Sequence, residues 1–470
     1  MISDEQFAEI GKLVDDEDRD EALRRLLPFL DEEIDDPKAL FMAGYIFIKS
    51  DKVGLAYQCF RRSIELAPKV DGSWLNLGKC FHELRRLGDA EKCFRKALEI
   101  TPTHSAAMSN IGLLFLNRSD YKEAIEWADK AVEADPEGAP STDARINRGM
   151  AYLALGQWKE GWDGYNLNIG TIKDRKELVY GKEVRWDGAK GKRVVCYGEQ
   201  GIGDEISFAS CLPDIIRDSE SVTIECDRRL EGLFQRSFPE TIVHGTRYDK
   251  SHTWKGDFDF RVALGQLPQF YRLKNEDFPG TPYLISSPEK RVQWRALLAS
   301  LGTRPKVGIA WSGGRPHTWQ SRRSLSLDSL LPILRQNCVW VSLQYEKPKD
   351  LETFKEKTGI TIHHWDWGVE NYDYDQTAAL VSELDLVISV TTTVVHLAGG
   401  LGVECWCLVP QRVMWRYMTE GSWFPWAKSV TLFRQNGELI WPIEEVAEKL
   451  KARLNECSDE LHPRRLQAVR

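Results

Sequence analysis

None of the ten cysteines in this 470-residue chain form a Cys-x-x-Cys pair, so a zinc ribbon or a dithiol redox motif has no starting point. They are scattered and read as small core residues of a reducing compartment. Cys405 and Cys407 alternate within an expected strand and share one face, which is packing. No apolar run approaches the roughly 20 residues that a membrane helix needs. The first residues are polar and amphipathic, unlike a secretory leader. Basic residues are not in excess: 63 Lys and Arg stand against 71 Asp and Glu, a net charge of −8, which argues against a nucleic-acid ligand. The expectation is a soluble cytoplasmic protein with no membrane span. Acidic residues crowd the first 36 positions and read as a solvated helix face with its turns.

What the chain does have is a repeat. Gly44, Gly78 and Gly112 recur every 34 positions, as do Ala56, Ala90, Ala124 and Pro68, Pro102, Pro136. The middle copy reads Trp74-x-x-Leu77-Gly78-x-x-Phe81, then Ala90-x-x-x-Phe94, then Pro102. This resembles the tetratricopeptide pattern, whose period is 34. Gly78 and Ala90 are expected where two antiparallel helices touch, Pro102 ends the second helix, and Trp74 and Phe94 are expected to fill the space between neighbouring repeats. Gly149, Tyr152, Gly156 and Tyr165 give a looser fourth copy, and Phe7, Gly11, Ala22, Leu26 and Pro37 a degenerate first one. An all-α solenoid over residues 1–172 follows. Its groove can hold a peptide or protein surface, or the array can be a scaffold with no ligand.

Beyond the solenoid the pattern alternates between short β-branched runs and helical stretches, the grammar of parallel sheets. Strands are expected at 193–197, 221–226, 241–243 and 258–261. The grammar restarts after a Pro- and Ser-rich crossing at 279–288, with strands at 306–311, 339–343, 361–363, 386–389 and 405–409 and a closing helix from 443. The fold class is therefore a solenoid followed by an α/β pair of facing, parallel-sheet Rossmann-like halves, 173–285 and 286–470. A ligand of such a pair lies in the crevice at the carboxyl ends of the strands.

Four loops at those ends carry candidate chemistry. Gly198-Glu-Gln-Gly201-Ile-Gly203-Asp204 is a glycine-broken strand-to-helix turn, a ready anion site. Asp204 at its rim is a candidate general base, or simply a helix cap. Ser312-Gly313-Gly-Arg-Pro-His317 leads to Arg323-Ser324, where flexible glycines followed by guanidiniums suit a diphosphate. Thr391-Thr392-Thr393, running into a helix that carries His396, offers hydroxyls and N–H groups to a phosphate. A lone His there reads first as a packed or capping residue. Gln344-Tyr345 ends a strand where it could touch a base or ribose, or form an ordinary turn. The aromatic stretch from Met414 through Trp415-Arg416-Tyr417 to Trp426 reads as packing. Asp257-Phe-Asp259 and Asp373-Tyr-Asp375 read as a strand edge and a helix cap, so no metal is expected.

Gly161-Trp-x-x-Tyr165, Trp186-Asp-Gly188, Glu199-Gln-Gly-Ile-Gly-Asp204, Val307-Gly-Ile-Ala-Trp311, Arg323-Ser324, Ser342-Leu-Gln344, Leu384-Asp-Leu-Val-Ile-Ser389, His396-Leu-Ala-Gly399 and Leu432-Phe-Arg-Gln435 run in one order over nearly the whole chain. Together they resemble bacterial tetratricopeptide proteins whose C-terminal part is a glycosyltransferase of the heptosyltransferase type, with the two-sheet GT-B fold. The resemblance implies an inverting, metal-independent transfer from a nucleotide-diphosphate sugar, an ADP-sugar among the candidates, to a protein or glycan acceptor presented by the repeats. The sugar nucleotide is a substrate, and no cofactor is implied. Asp204 would be the base, with Gly201, Gly203, Ser312, Gly313, His317, Arg323, Ser324, Gln344, Thr391, Thr392, Thr393 and His396 around the donor. The family has Asp-Thr where this chain has Thr391-Thr392, and often Asp where it has Met414. Both departures bear on the donor. The first favours an alternative, a non-catalytic interaction protein that keeps the fold.

Overall fold

The computed structural model describes residues 1–30, 36–170, 175–249, 254–313, 320–345, 348–369 and 373–459. His317 and Arg315, together with part of the N-terminal acidic cluster, lie outside the described residues. The chain divides into two compact units, Met1–Tyr152 and Leu153–Arg470.

The first unit is helical throughout its described residues: α1 Asp4–Asp15, α2 Arg19–Leu26, α3 Pro37–Lys49, α4 Val53–Leu66, α5 Asp71–Glu83, α6 Leu87–Ile100, α7 Ser105–Arg118, α8 Tyr121–Ala134 and α9 Ala139–Ala154, the last running just past the boundary. Local chemistry sets the ends. Ser3 and Gln6 form a capping box on α1, and Asp36 caps α3 ahead of Pro37. Helices α4, α6 and α8 stop just short of Pro68, Pro102 and Pro136, as the restriction before proline requires. Ala56, Ala90 and Ala124 have no exposed surface. A Cβ on Gly44 would lie 2.7 Å from the Phe60 ring, and one on Gly112 would lie 3.3 Å from the Ala124 carbonyl. Phe94 shares one core with Phe60 and Ile111 of the neighbouring repeats. Its ring occupies the space that a side chain at Gly78, in its own repeat, would need. Trp74 is half-buried, with Nε1 donating to the Pro68 carbonyl at 2.9 Å.

The second unit opens with α10 Trp158–Tyr165 and continues with β1 Val184–Arg185, β2 Arg193–Tyr197, α11 Ile202–Phe208, α12 Leu212–Asp218, β3 Ser221–Glu225, α13 Glu231–Ser237, β4 Ile242–His244, β5 Phe260–Ala263 and α14 Pro268–Tyr271. After the crossing come α15 Pro288–Ser300, β6 Lys306–Ala310, α16 Leu331–Leu334, β7 Val339–Ser342, α17 Leu351–Thr358, β8 Ile362–His363, α18 Asp366–Val369, α19 Tyr374–Ser382, β9 Leu386–Val390, α20 Thr393–Leu401, β10 Cys405–Val409, β11 Val430–Arg434 and α21 Ile443–Asp459. Two parallel sheets result, in the orders β1-β5-β2-β3-β4 and β11-β10-β9-β6-β7-β8. Strands β6, β7, β9 and β10 are buried along their whole length, as parallel strands covered on both faces must be. Trp340 and Trp406 are buried in the second core. Each aromatic of this size contributes a gross stabilisation of about 4–6 kcal/mol on burial.

Two strands have no counterpart in the sequence reading, the two-residue edge strand β1 and β11. After β6 the chain forms a 3₁₀ turn, Asp328–Leu330, and becomes α-helical only over Leu331–Leu334. Pro332 explains the break, because it lacks the N–H that would continue the earlier turn. The two halves are tied along one side of the crevice. Tyr283 and Leu284 both donate backbone N–H groups to the Gly400 carbonyl at 2.9 Å, and the Tyr283 hydroxyl donates to the Ile206 carbonyl at 2.6 Å. Arg236 on α13 holds Asp375 on α19 through two bonds of 2.8 Å.

Gly78→Ala gains about 1 kcal/mol of helix propensity but forces a buried ring to move, an overpacking cost of about 1–3 kcal/mol. The expected net effect in urea denaturation is destabilisation, and Phe94→Leu in the same chain should recover part of it by making room.

Candidate active site between the two sheets

Strand β2 ends at Tyr197, and the chain turns at once because Gly198 has no side chain. The carboxylate of Glu205 fills that space, buried, accepting the Asp227 N–H at 2.9 Å and pairing with Arg247. Helix α11 then starts, with Asp204 in its first turn. One oxygen, Oδ2, accepts the Gly201 N–H at 3.2 Å, so the capping role is real. The other, Oδ1, lies 2.7 Å from Nη2 of Arg416. Gly203 faces the second half, where a Cβ would sit 2.9 Å from the Thr393 hydroxyl oxygen. Glycine at this position lets the first turns of α11 and α20 meet.

On the other side β9 runs into Thr391, which is buried. Thr392 is the N-cap of α20. Its hydroxyl accepts the Val394 N–H at 3.3 Å and lies 3.1 Å from the Ser389 hydroxyl. The Thr391 carbonyl accepts from Nη1 of Arg323 at 3.3 Å. Burial lowers the Arg323 pKa, and the neighbouring Tyr417 and Asp204 oppose that effect. Asp204 and Arg323 are therefore close enough to feel each other's charge. Gly313 packs on the Thr392 methyl, and the hydroxyls of Ser312 and Ser324 lie 3.0 Å apart. Gln344 Oε1 accepts the N–H groups of Trp311 and Ser312 at 3.1 and 3.3 Å. Its carbonyl oxygen thus fixes the loop after β6 rather than facing a base.

His396, in the first turn and a half of α20, is 7% exposed. Nε2 lies 3.3 Å from the Tyr417 hydroxyl, and the ring packs on Tyr417 and Phe424 with centroids 5.8 and 5.7 Å away. Burial first, then the field of Arg416, pushes its pKa down to about 4, so it is neutral at physiological pH. Asp204, Gly201, Gly203, Arg323, Thr391, Thr392, Thr393 and His396 thus gather where α11 meets α20. Ser312, Gly313, Ser324 and Gln344 form the adjoining loop.

Arg416 is the residue that sequence reasoning passed over. It lies in the aromatic stretch that reads as packing, and Trp415, Tyr417, Phe424 and Trp426 do pack. Arg416 itself is 4% exposed, with its guanidinium 4.4 Å from the Trp415 centroid and 5.0 Å from that of Phe208. Two weaker contacts of 3.4 Å reach the Tyr165 hydroxyl and Gln200 Oε1. The available signal was an arginine set among tryptophan and tyrosine, since a guanidinium buried with such neighbours needs an anion. The loop that carries it is strained. Met418 adopts φ 57°, ψ 175°, which costs a side-chain-bearing residue about 1–3 kcal/mol. Arg434 offsets this cost by donating to the carbonyls of Tyr417, Met418, Glu420 and Gly421 at 2.6–3.2 Å.

Among the described residues no group of three or more His, Cys, Asp or Glu is placed to hold a metal ion. Asp257 and Asp259 both pair with Arg193, Asp373 caps α19, and Asp375 pairs with Arg236. A cavity of about 770 Å³ opens elsewhere in this unit, between Pro213, Phe238, Tyr283 and Trp426, and none of Asp204, Arg323 or His396 lines it.

Residues 37–70 and 70–137 match tetratricopeptide-repeat families, so the first unit carries these repeats. Protein FlbA of Caulobacter vibrioides is 30% identical over 328 residues, covering 65% of this chain and 54% of that protein. The chain therefore spans about half the length of this curated relative. Among solved structures, a thermophilic tetratricopeptide protein of Thermus thermophilus is 18% identical, with a TM-score of 0.31, over 34% of this chain and 87% of its own. MamA is likewise 18% identical, with a TM-score of 0.29, over 34% of this chain and 91% of its own.

Removing Asp204 strands a buried guanidinium. Asp204→Ala should cost about 2 kcal/mol, less than the roughly 3–5 kcal/mol of a fully buried pair because the carboxylate is 28% exposed. Asp204→Ala with Arg416→Leu should be more stable than Asp204→Ala alone, as read by urea titration. His396 gives a pH signature. Its folded pKa lies below its unfolded value, so its stability contribution is complete above about pH 6.5 and falls as the pH drops toward 4. Between pH 6.5 and 5 wild type should lose about 2 kcal/mol relative to His396→Gln. Parallel stability curves for the two proteins would contradict this assignment.

Proposed function

We propose that the second unit is an inverting, metal-independent glycosyltransferase of the GT-B kind, taking a nucleotide-diphosphate sugar as donor. The observation that carries this reading is the meeting of α11 and α20. It sets one carboxylate, Asp204, opposite a helix N-terminus and the guanidinium of Arg323, at the carboxyl ends of two facing parallel sheets. A carboxylate facing an anion cradle is what a single-displacement transfer requires. Asp204 accepts the proton of the acceptor hydroxyl as its oxygen bonds to the anomeric carbon. The bond from that carbon to the diphosphate breaks, the configuration inverts, and the nucleoside diphosphate leaves with the bonding electrons. Arg323 and the N–H groups at the start of α20 stabilise the growing negative charge. The neutral His396 adds no charge of its own. Both Asp-x-Asp pairs of the second unit are engaged with arginines or a helix cap, which supports a reaction without a metal-bridged diphosphate.

The repeat unit, by this reading, supplies the surface for a protein or glycan acceptor. Repeats of this kind are protein-binding surfaces. The second reading is an interaction protein without turnover. It is favoured by Thr391, where the resembling enzymes have Asp, and by the pairing of Asp204 with Arg416 in place of an open carboxylate.

Thermal unfolding with a panel of nucleoside diphosphates tests the donor side. A ligand at 100 times its dissociation constant should stabilise the fold by about 2.7 kcal/mol. The expected result is a shift with one base that Arg323→Ala abolishes. With the cognate sugar nucleotide, Arg323→Ala should lower kcat about 100-fold, the usual cost of one transition-state donor. No shift with any nucleotide would leave the non-catalytic reading standing.

A further inference from the structure

Arg416 has a role that the pairing itself suggests, and the inference rests on the transferase reading. Among the described residues, two guanidiniums, Arg323 and Arg416, stand around the meeting point of α11 and α20 with the carboxylate of Asp204. The other titratable groups facing Arg416 are Tyr165, Tyr417 and His396. Burial pushes the Tyr417 pKa up and the His396 pKa down, so neither of these two carries a negative charge at neutral pH. Among the described residues Asp204 Oδ1 is the short contact of Arg416, at 2.7 Å, while its bonds to Tyr165 and Gln200 are stretched to 3.4 Å. The arginine is buried and held in place by Trp415, Phe208 and the clamped loop behind it. The aspartate is 28% exposed. Of the two partners the carboxylate is the more exposed, and its other contact is the Gly201 N–H at 3.2 Å.

We propose that Arg416 is a second diphosphate ligand held in reserve: Asp204 occupies the place on its guanidinium that a diphosphate oxygen takes when the donor binds. The exchange replaces one anion by another on a fixed cation, so no buried charge is left unpaired. Arg416 then joins Arg323 on the leaving group, and two guanidiniums face the two phosphates. Asp204 Oδ1 is released toward the acceptor. Donor binding is thereby coupled to exposure of the base, and an acceptor arriving first meets a carboxylate already engaged.

The test is a binding cycle on the full chain at fixed ionic strength, with inorganic pyrophosphate and a set of nucleoside diphosphates as probes. Wild type, Asp204→Asn, Arg416→Gln and the double variant are compared. Asp204→Ser and Arg416→Lys stand in for either single variant that fails to fold, as judged by its melting curve. Asp204→Asn should bind the diphosphate about tenfold more tightly, because it removes the competitor. Arg416→Gln should bind about tenfold more weakly. In the Arg416→Gln background the gain from Asp204→Asn should vanish, since no guanidinium is left to release. A gain that persists undiminished in that background would mean simple relief of charge repulsion and would overturn the exchange. Unchanged or weaker binding by Asp204→Asn would overturn it too, while diphosphate binding by wild type kept the transferase reading alive. Failure of every protein to bind pyrophosphate or any nucleoside diphosphate would overturn both.

Discussion

Two helix N-termini meet at a glycine, and the candidate site is organised by that contact. The first turns of α11 and α20 carry the positive ends of two peptide dipoles. Only the missing side chain of Gly203 lets them come within van der Waals distance at Thr393. Such an approach concentrates positive potential, and the nearby Arg323 and Arg416 add to it. Asp204 is the compensating anion. Its capping bond, its ion pair and its proposed chemistry answer one electrostatic demand, so the contest between a structural and a functional aspartate dissolves here. Neutral His396 fits the same logic, because a further buried cation would have no partner.

Much of this was legible in the sequence because it rests on short-range rules. The 34-residue spacing of glycine, alanine and proline announces helix pairs, since each residue type answers a local need for close approach or termination. The buried strands β2, β6, β7, β9 and β10 show as short β-branched or apolar runs. The turn at 198–204 shows as a glycine pattern that few other structures need. What escaped depends on distant partners. Strand β1 has two residues and is defined only by pairing with β5. Gln344 sits at the end of its strand as expected, yet its carbonyl oxygen goes to the backbone of Trp311 and Ser312, which no spacing rule predicts. Arg416 lies 212 positions from Asp204, and only the closed α/β fold brings them together.

The loop after β10 illustrates how a protein fixes a charged side chain inside an apolar wall. Arg434 satisfies carbonyls that the turn at Met418 would otherwise leave unpaired, and Trp415 covers one face of the Arg416 guanidinium. Strain in the backbone and rigidity in the side chain are two aspects of the same arrangement. A looser loop would let the arginine follow the carboxylate wherever it moved. A fixed one makes the arginine a stationary electrode against which anions can be exchanged.

Helix α10 bears on how this protein can be divided. By sequence it closes the fourth repeat, yet its aromatic residues are spent on the α/β unit. Trp158 Nε1 donates to Asn275 at 2.7 Å, Trp162 Nε1 to the Arg272 carbonyl at 2.7 Å, and the Tyr165 hydroxyl lies within reach of Gln200. Trp158, Trp162 and Tyr165 are all but fully covered. A protease or a gene boundary falling after this helix would leave the α/β fragment with an uncovered aromatic floor and two orphaned acceptors. A cut between α9 and α10 would leave them intact. The seam a repeat pattern suggests and the seam the folding energy recognises are therefore different places, and recombination between such proteins would be tolerated only at the second.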